Sequence, residues 1–195
     1  YLEGTTDVTR TLLVGKAKVE MIEDYTDVLK GHIAVATAIF PEKTFGREID
    51  SFARKPLWKK GKDYSHGTGH GVGSLLSVHE GPISISKTSE SYLECGMVVS
   101  NEPGYYKTGQ YGIRIENLEV VKRKYFKDQN HNFLCFENLT RVPLELDLIN
   151  KKLLTRCEVN WINDYHDKIY KDLSKLIKKD EKQLLKFLKT QTSHI

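Results

Sequence analysis

The stretch Gly61-Lys-Asp-Tyr-Ser-His-Gly-Thr-Gly-His-Gly-Val-Gly73 carries five glycines and two histidines. Glycine is unfavourable inside helices and strands, so this density predicts a loop whose backbone approaches another group closely. His66 and His70 have a spacing that binds metal when it occurs on a helix. The glycines argue against a regular helix, so the spacing alone leaves a structural role open. His79 follows, and three histidines in so short a stretch favour a functional role.

Apolar residues upstream of this loop predict two helices. The first helix is predicted over residues 19–39, because apolar residues recur there at steps of three and four. Pro41 ends it. The members of that stripe are Ile22, Tyr25, Leu29, Ile33 and Ala36. The second helix covers Arg47 to Trp58, with a kink or break near Pro56. A β-branched and leucine-rich run from Thr9 to Val14 predicts a strand.

Downstream of the loop, strands precede helices. The predicted strands cover Met97–Val99, Ile113–Val121, Phe133–Leu139 and Val142–Leu146. Thr155-Arg-Cys-Glu158 is a capping box that opens a helix, and a last helix covers residues 180–189. The other four histidines are expected to be structural: His32, His131, His166 and His194.

Three carboxylates stand near these elements. Asp7 precedes the first predicted strand, where it is either a turn former or a ligand. Glu102 lies in Asn101-Glu-Pro-Gly104, and Glu116 lies inside an apolar strand. Alternation puts Arg114 and Glu116 on one strand face, so an exposed ion pair is the alternative to a buried site. A buried carboxylate is costly unless it is paired or bound to metal.

Asp7, His70, Glu102 and Glu116 together form a set of hard oxygen donors with one imidazole. Such a set suits divalent manganese, cobalt or iron better than ions that prefer thiolates. Two ions bridged by carboxylates can hold both ends of a displacement reaction. The sequence therefore predicts a metal site that joins distant parts of the chain.

Four stretches occur in an order that resembles a known family. They are Gly4-Thr-Thr-Asp-Val-Thr-Arg10, His66-Gly-Thr-Gly-His-Gly-Val-Gly73 with Val78-His-Glu-Gly-Pro82, Asn101-Glu-Pro-Gly-Tyr-Tyr106, and Gly112-Ile-Arg-Ile-Glu-Asn117. They resemble the long, cytosolic-type Xaa-Pro aminopeptidase (aminopeptidase P) of the pita-bread metallopeptidase superfamily. The resemblance implies an α+β pita-bread (creatinase/methionine aminopeptidase-like) fold, of which this chain is the C-terminal part, with a C-terminal helical extension.

The tail carries the resemblance to the end of the chain. Phe136-Glu-Asn-Leu-Thr-Arg-Val-Pro143 and Trp161-Ile-Asn-Asp-Tyr-His166 are similar to the C-terminal extension of the long enzymes. We therefore expect residues 1–125 to form the C-terminal part of the catalytic domain and residues 132–195 to form the extension.

The resemblance also implies a role for each site residue. Asp7 and Glu116 would bridge two divalent ions, with manganese the expected metal, and His70 and Glu102 would complete one ion's shell. A metal-bridging hydroxide would attack the carbonyl before proline, with Glu102 as proton acceptor. His66 and His79 would bind the substrate and stabilise the oxyanion, and Arg114 would orient a ligand carboxylate. The expected catalytic set is thus His66, His79, Glu102 and Arg114.

The family's fifth ligand is an aspartate that would lie before Tyr1. The chain therefore resembles a fragment, in which we expect one ion, weakened metal binding and impaired turnover. The parent enzyme is expected to be a homodimer that cleaves peptides with proline at the second position. Two alternatives stay open: a metal-free pita-bread interaction module, and another peptidase of the superfamily, such as prolidase or methionine aminopeptidase.

Composition limits the remaining classes. The chain is 39% hydrophobic and 10% aromatic, which suits a globular protein. It has no apolar run of the roughly 20 residues that span a bilayer. Residues 151–195 hold 11 Lys/Arg against 6 Asp/Glu, but these charges are interleaved along a helical pattern and predict a solvated face. Three cysteines without CxxC spacing predict reduced thiols and a cytoplasmic location. We expect neither a nucleic-acid nor a membrane partner.

Overall fold

A computed structural model describes residues 1, 4–75, 77–127 and 132–195, so His131 lies outside the described residues. The chain divides into two compact units. The first unit comprises Tyr1–Thr11 and Asp27–Thr140, and the second comprises Leu12–Thr26 and Arg141–Ile195. In the described ranges, no helix has both the length and the apolarity to cross a membrane.

The described residues form four α-helices, and the apolar stripes of these helices explain their positions. They are α1 (Val19–Ala36), α2 (Gly46–Trp58), α3 (Arg156–Leu173) and α4 (Lys182–Gln191). The predicted capping box at α3 is confirmed, since the Thr155 hydroxyl accepts from the Glu158 amide. The predicted break near Pro56 is wrong. Helix α2 continues to Trp58, and the Lys59 amide still donates to the Lys55 carbonyl at 3.3 Å.

In the part of the chain that the structure describes, eight short strands form three antiparallel sheets, all in the first unit. The strands are β1 (Ile39–Pro41), β2 (Gly69–His70), β3 (Ser84–Ile85), β4 (Val98–Asn101), β5 (Gly104–Lys107), β6 (Tyr111–Arg114), β7 (Asn117–Lys124) and β8 (Phe133–Asn138). The largest sheet has the order β1-β8-β7-β4, and β2 pairs with β3 while β5 pairs with β6. In the four-stranded sheet, the register aligns Val99 with Glu119 and Val121 with Phe136.

The core of the first unit joins this sheet to α1 and α2. It comprises Val35, Ala38, Phe40, Ile49, Ala53, Ile85, Leu93, Val99, Val121, Leu134 and Phe136. Two charged residues, Asp50 and Arg54, also lie on the buried face of α2. Buried charges of this kind require partners, and Arg54 bonds both to Asp50 on the same helix and to the glycine-rich loop.

Three strand predictions are corrected by the structure. Of Thr9–Val14, Thr9 alone makes a strand-like pairing, a single antiparallel bridge to Glu116. The predicted strand Ile113–Val121 is two strands, because the chain leaves the β6 ladder at Ile115 and enters the β7 ladder at Asn117. Residues 142–145 form no strand. Their amides are satisfied by side chains instead, since Leu144 donates to His166 Nε2 and Glu145 donates to the Tyr25 hydroxyl.

His32 is a buried histidine whose charge state affects stability. It lies on α1 with 0% of its surface exposed, and its Nδ1 is 3.1 Å from the Asn101 carbonyl oxygen. Burial, followed by the nearby charge of Arg10, lowers the pKa of His32 to about 3. The ring is therefore neutral in the folded protein across the usual pH range.

We expect His32 to make the protein less stable in mild acid. Below the ordinary histidine pKa of 6.5 the unfolded chain binds a proton at His32 that the folded chain does not bind. Each pH unit lost between 6.5 and about 3 then removes roughly 1.4 kcal/mol from the free energy of unfolding. Urea unfolding at pH 7.5, 6.5 and 5.5 measures this slope. The His32→Gln variant should show a shallower slope, and an equal slope would contradict the assignment.

Candidate metal centre

The four predicted metal ligands lie where strands begin or end. His70 ends β2, and Glu102 directly follows β4. Glu116 occupies the short connection between β6 and β7. Asp7 lies in the N-terminal segment, which is attached to that connection because the Glu116 amide donates to the Thr9 carbonyl at 3.1 Å. The fold thus brings together residues from four separate parts of the chain.

The donor atoms of these residues face one another. His70 Nε2 lies 3.2 Å from Glu102 Oε1 and 3.4 Å from Asp7 Oδ2. Asp7, His70 and Glu116 each offer one ligand atom, and the three atoms lie within 4.8 Å of one another. The His70 Nδ1 atom lies 2.8 Å from the Gly71 carbonyl oxygen and must donate to it, since a carbonyl only accepts. In the neutral ring, Nε2 then carries a lone pair, which points toward two carboxylates.

The charges of the cluster change its proton affinities. Burial, followed by the negative charges of Glu102 and Asp7, raises the pKa of Glu116 to about 7. Burial opposes protonation of His70, but its contacts with Glu102 and Asp7 outweigh burial and raise its pKa. Burial likewise opposes ionisation of Glu102, yet hydrogen bonds from His70 and Ser100 hold its pKa below the usual range. These shifts describe a site whose three carboxylates require more positive charge than the neighbouring Arg114 supplies.

A divalent cation would supply that charge, and the donors fit one. Oxygen donors bind small divalent ions at about 2.1 Å, so donors on one ion lie within roughly 4 Å of each other. The two contacts of His70 Nε2 are within that limit. The candidate ligand atoms of Asp7, His70 and Glu116 all lie within 4.8 Å of one another, so these residues could share a small divalent ion.

Two hydroxyl groups hold the ligands, and the sequence prediction did not include them. The Ser100 hydroxyl accepts from the His70 amide at 2.9 Å and donates to Glu102 Oε1 at 3.0 Å. The Thr9 hydroxyl donates to Glu116 Oε2. Ser100 is the penultimate residue of β4 and lies two residues before a candidate ligand, which is the only signal the sequence carries for its role.

The glycine-rich loop approaches β4 closely, as its composition predicts. A β-carbon on Gly69 would lie 1.9 Å from the Ser100 carbonyl oxygen, so any side chain there would push β2 away from β4. This contact sets the distance between His70 and Glu102. The loop is irregular apart from the two residues of β2, which agrees with the prediction that His66 and His70 do not share a helix.

His66 and Arg114 are connected by a residue that the sequence prediction did not single out. His66 Nδ1 lies 2.7 Å from the Gly67 carbonyl and donates to it, so Nε2 accepts from the Tyr106 hydroxyl at 2.9 Å. The same hydroxyl accepts from Arg114 Nε at 2.8 Å. Burial lowers the pKa of His66 more than the Gly67 carbonyl raises it, which favours the neutral ring.

His79 and Arg114 border the cluster from two directions. The rings of His79 and His70 have centroids 4.0 Å apart. Arg114 Nη1 lies 3.3 Å from Glu102 Oε2. The alternative of an exposed Arg114–Glu116 pair is wrong, because Glu116 is only 3% exposed.

Family models account for almost the whole chain. Residues 1–123 match the model of metallopeptidase family M24, and residues 132–195 match the model of the C-terminal region of peptidase M24. The chain belongs to metallopeptidase family M24.

Curated M24 relatives share one activity in their names. A probable Xaa-Pro aminopeptidase P from Coprinopsis cinerea is 48% identical over 200 residues, which is 100% of this chain and 32% of the relative. Xaa-Pro aminopeptidase 1 from Dictyostelium discoideum is 48% identical over 195 residues, 98% of this chain and 31% of the relative. The chain thus spans about a third of the length of these relatives.

Solved M24 structures confirm the pita-bread fold prediction. The X-prolyl aminopeptidase of Caenorhabditis elegans, described as a cytosolic enzyme with a di-nuclear active site, superposes with a TM-score of 0.93 at 42% identity. That match covers 98% of this chain and 31% of the worm enzyme. The prolidase of Pyrococcus furiosus superposes with a TM-score of 0.58 at 32% identity, covering 70% of this chain and 37% of the prolidase.

Proposed function

We propose that this chain carries the metal centre of an aminopeptidase that hydrolyses the bond between an N-terminal residue and a following proline. The observation that carries the proposal is the cluster of Asp7, His70, Glu102 and Glu116, with His66 and Arg114 connected beside it through Tyr106. The names of the curated relatives and of the worm enzyme support Xaa-Pro peptides as substrates. An Xaa-Pro bond is a tertiary amide without an N–H, which explains the need for a dedicated enzyme.

Asp7 and Glu116 are the proposed bridging ligands, and His70 and Glu102 complete the shell of one ion. Their hard donors favour manganese, and we infer that one ion binds more tightly than a second. When bound, the ions polarise the carbonyl before proline and activate a water molecule. Glu102 is the proposed proton acceptor, since its two oxygens face His70 and Arg114.

His66 and His79 are the proposed substrate-binding histidines. In the tautomer that the Gly67 carbonyl imposes, His66 Nε2 is an acceptor, so a substrate group that replaces the Tyr106 hydroxyl there must be a donor. A protonated His66 would be required for donation to an oxyanion. His79, whose ring is tilted by 46° against that of the proposed ligand His70, is the closer candidate for contact with the reacting carbonyl.

Two measurements test the proposal. Calorimetric titration of the purified chain with Mn²⁺ measures whether the cluster binds the ion. Cleavage of Arg-Pro-Pro, with Arg-Ala-Pro as the matched control, then measures whether release of the first residue requires proline. Because we expect turnover by this chain to be impaired, the expected result is slow Mn²⁺-dependent cleavage of the first peptide and no cleavage of the second. Absence of Mn²⁺ binding would contradict the metal centre and favour a metal-free interaction module.

A third peptide separates the two peptidase classes. The dipeptide Ala-Pro is the substrate type of a prolidase, and prolidases are among the structures with this fold. Preference for Ala-Pro over Arg-Pro-Pro would replace the aminopeptidase proposal with a dipeptidase. The homodimer, the cytoplasmic location and impaired turnover by this chain remain predictions from the family resemblance.

A further inference from the structure

Arg54 is a buried arginine that the proposed reaction does not use. It lies on the inner face of α2 and is 1% exposed. An arginine in this environment must have its donors satisfied, because unpaired buried charge is strongly unfavourable. The identity of its partners therefore indicates what the residue does.

All five N–H groups of Arg54 have acceptors. Nε and Nη2 form a bidentate pair with Asp50, at 2.7 and 3.1 Å. Nη1 donates to Asp63 Oδ1 at 2.8 Å and to the Tyr64 carbonyl at 2.7 Å. Nη2 also donates to the His66 carbonyl at 2.8 Å. Two of the five donors thus hold the backbone of the loop that carries His66.

Asp50 and Thr68 hold the next part of the same loop. Asp50 Oδ1 accepts from the Thr68 hydroxyl at 2.7 Å, and the Tyr64 hydroxyl also bonds to that hydroxyl. The loop is therefore held by hydrogen bonds on both sides of Gly67. The Gly67 carbonyl accepts a hydrogen bond from His66 Nδ1. The Tyr64 ring also packs against the His66 ring, with centroids 4.7 Å apart.

We propose that Arg54 is a positioning residue that sets the ring orientation and tautomer of His66 through the carbonyls of residues 64 and 66. This inference deepens the proposed function and rests on it, because it gives His66 a substrate-binding role. All five N–H groups of Arg54 are used by Asp50, Asp63 and the loop carbonyls, and none of these acceptors is a proposed metal ligand or Tyr106. It acts through the loop, and the planar guanidinium is needed because a lysine offers fewer donors without the fork geometry.

The test compares variants that differ in how they hold His66. Arg54→Lys keeps the charge and loses the fork. Tyr64→Leu removes the ring that packs on His66, whereas the matched Tyr64→Phe keeps it. Val35→Ala, in the core of the same unit and outside the network, controls for lost stability. Each variant is measured for Arg-Pro-Pro cleavage, Mn²⁺ affinity and the His66 tautomer by long-range proton–nitrogen NMR of the metal-free chain.

We expect Arg54→Lys to lower kcat/KM by about 100-fold, a loss typical of a displaced catalytic group, with Mn²⁺ affinity unchanged. The His66 signal should change from one Nδ1–H tautomer to a mixture in Arg54→Lys and in Tyr64→Leu. Tyr64→Phe and Val35→Ala should keep the single tautomer. If Arg54 had a purely structural role, Val35→Ala and Arg54→Lys would show the same kcat/KM and the same His66 tautomer once their stabilities are matched.

The outcomes separate this inference from the proposed function. An unchanged His66 tautomer and unchanged kcat/KM in Arg54→Lys would overturn the positioning role. Cleavage by the unmodified chain would still uphold the aminopeptidase activity. A changed tautomer in a chain that cleaves no Xaa-Pro peptide would uphold the positioning role and overturn the activity. If Arg54→Lys does not fold, the two Tyr64 variants decide, and an unchanged tautomer in Tyr64→Leu overturns the inference.

Discussion

Replacing Glu116 with glutamine is expected to weaken Mn²⁺ binding by at least about 100-fold, beyond the loss typical of residues that only orient a ligand. The same change should stabilise the metal-free protein, because it removes one of three carboxylates that repel each other in a buried site. Metal affinity and metal-free stability would then change in opposite directions. Calorimetry with Mn²⁺ and urea unfolding in EDTA measure the two effects.

The pH dependence of this stabilisation has a definite sign. The pKa of Glu116 is raised from 4.5 to about 7, first by burial and then by Glu102 and Asp7. Ionising Glu116 therefore opposes folding as the pH rises from 4.5 to 7, and the full cost is present above pH 7. The gain in Glu116→Gln should be absent at pH 4.5 and reach on the order of 1–3 kcal/mol at pH 8.

Glu137→Gln is the matched control for the change in net charge. Glu137 is exposed on β8 and lies outside the cluster. The Glu137→Gln substitution should leave both Mn²⁺ affinity and metal-free stability unchanged. A Glu116→Gln chain that binds Mn²⁺ as tightly as the unmodified chain would remove Glu116 from the ligand set.

Replacing Arg54 with methionine is expected to cost the metal-free protein about 3–5 kcal/mol in the free energy of unfolding, the usual range for breaking a buried ion pair. Methionine is a flexible apolar side chain of comparable length, so the loss comes from the acceptors left without donors. Asp50 would remain buried with its negative charge, and the Thr68 hydroxyl would still donate to it. Urea unfolding measures the change.

Lys87→Met provides the exposed counterpart of this change. Lys87 also binds Asp63, at 2.7 Å, but both side chains are open to solvent. An exposed pair contributes at most about 1 kcal/mol, so this variant should be nearly as stable as the unmodified chain. Adding Asp50→Asn to Arg54→Met should restore part of the loss, because the unpaired charge is then removed. Equal effects of Arg54→Met and Lys87→Met would contradict the buried network.

Periodicity predicted the helices well, because each has one apolar face to bury. The first helix ends at Ala36 and not at Ile39, since the Thr37 hydroxyl bonds back to the Ile33 carbonyl and Ile39 starts β1. Strand prediction failed where a metal-ligand candidate interrupts a run of strand-forming residues. Ile113–Val121 alternates like one strand, yet the chain changes sheets at Glu116.

The candidate ligands could be selected from motifs, but the residues that hold them could not. Arg54 lies four residues after Asp50 in an apolar helical stripe, which is a visible sign of a buried pair. Nothing local indicates that its other donors reach the carbonyls of Tyr64 and His66, because those contacts depend on the path of the loop. Tyr106 is part of a quoted motif, but its bonds to His66 and Arg114 require the β5–β6 hairpin.

The attachment of Asp7 to the cluster has a thermodynamic consequence. The segment that carries Asp7 is attached by one strand-like bridge at Thr9 and by side-chain hydrogen bonds of Thr9, Arg10 and Thr11 to residues 114–117. Such a segment can open while the four-stranded sheet remains folded. Opening removes one ligand, so every ion that requires Asp7 also closes the segment. Cation affinity and the local opening equilibrium of residues 7–11 are therefore two measurements of one linked free energy.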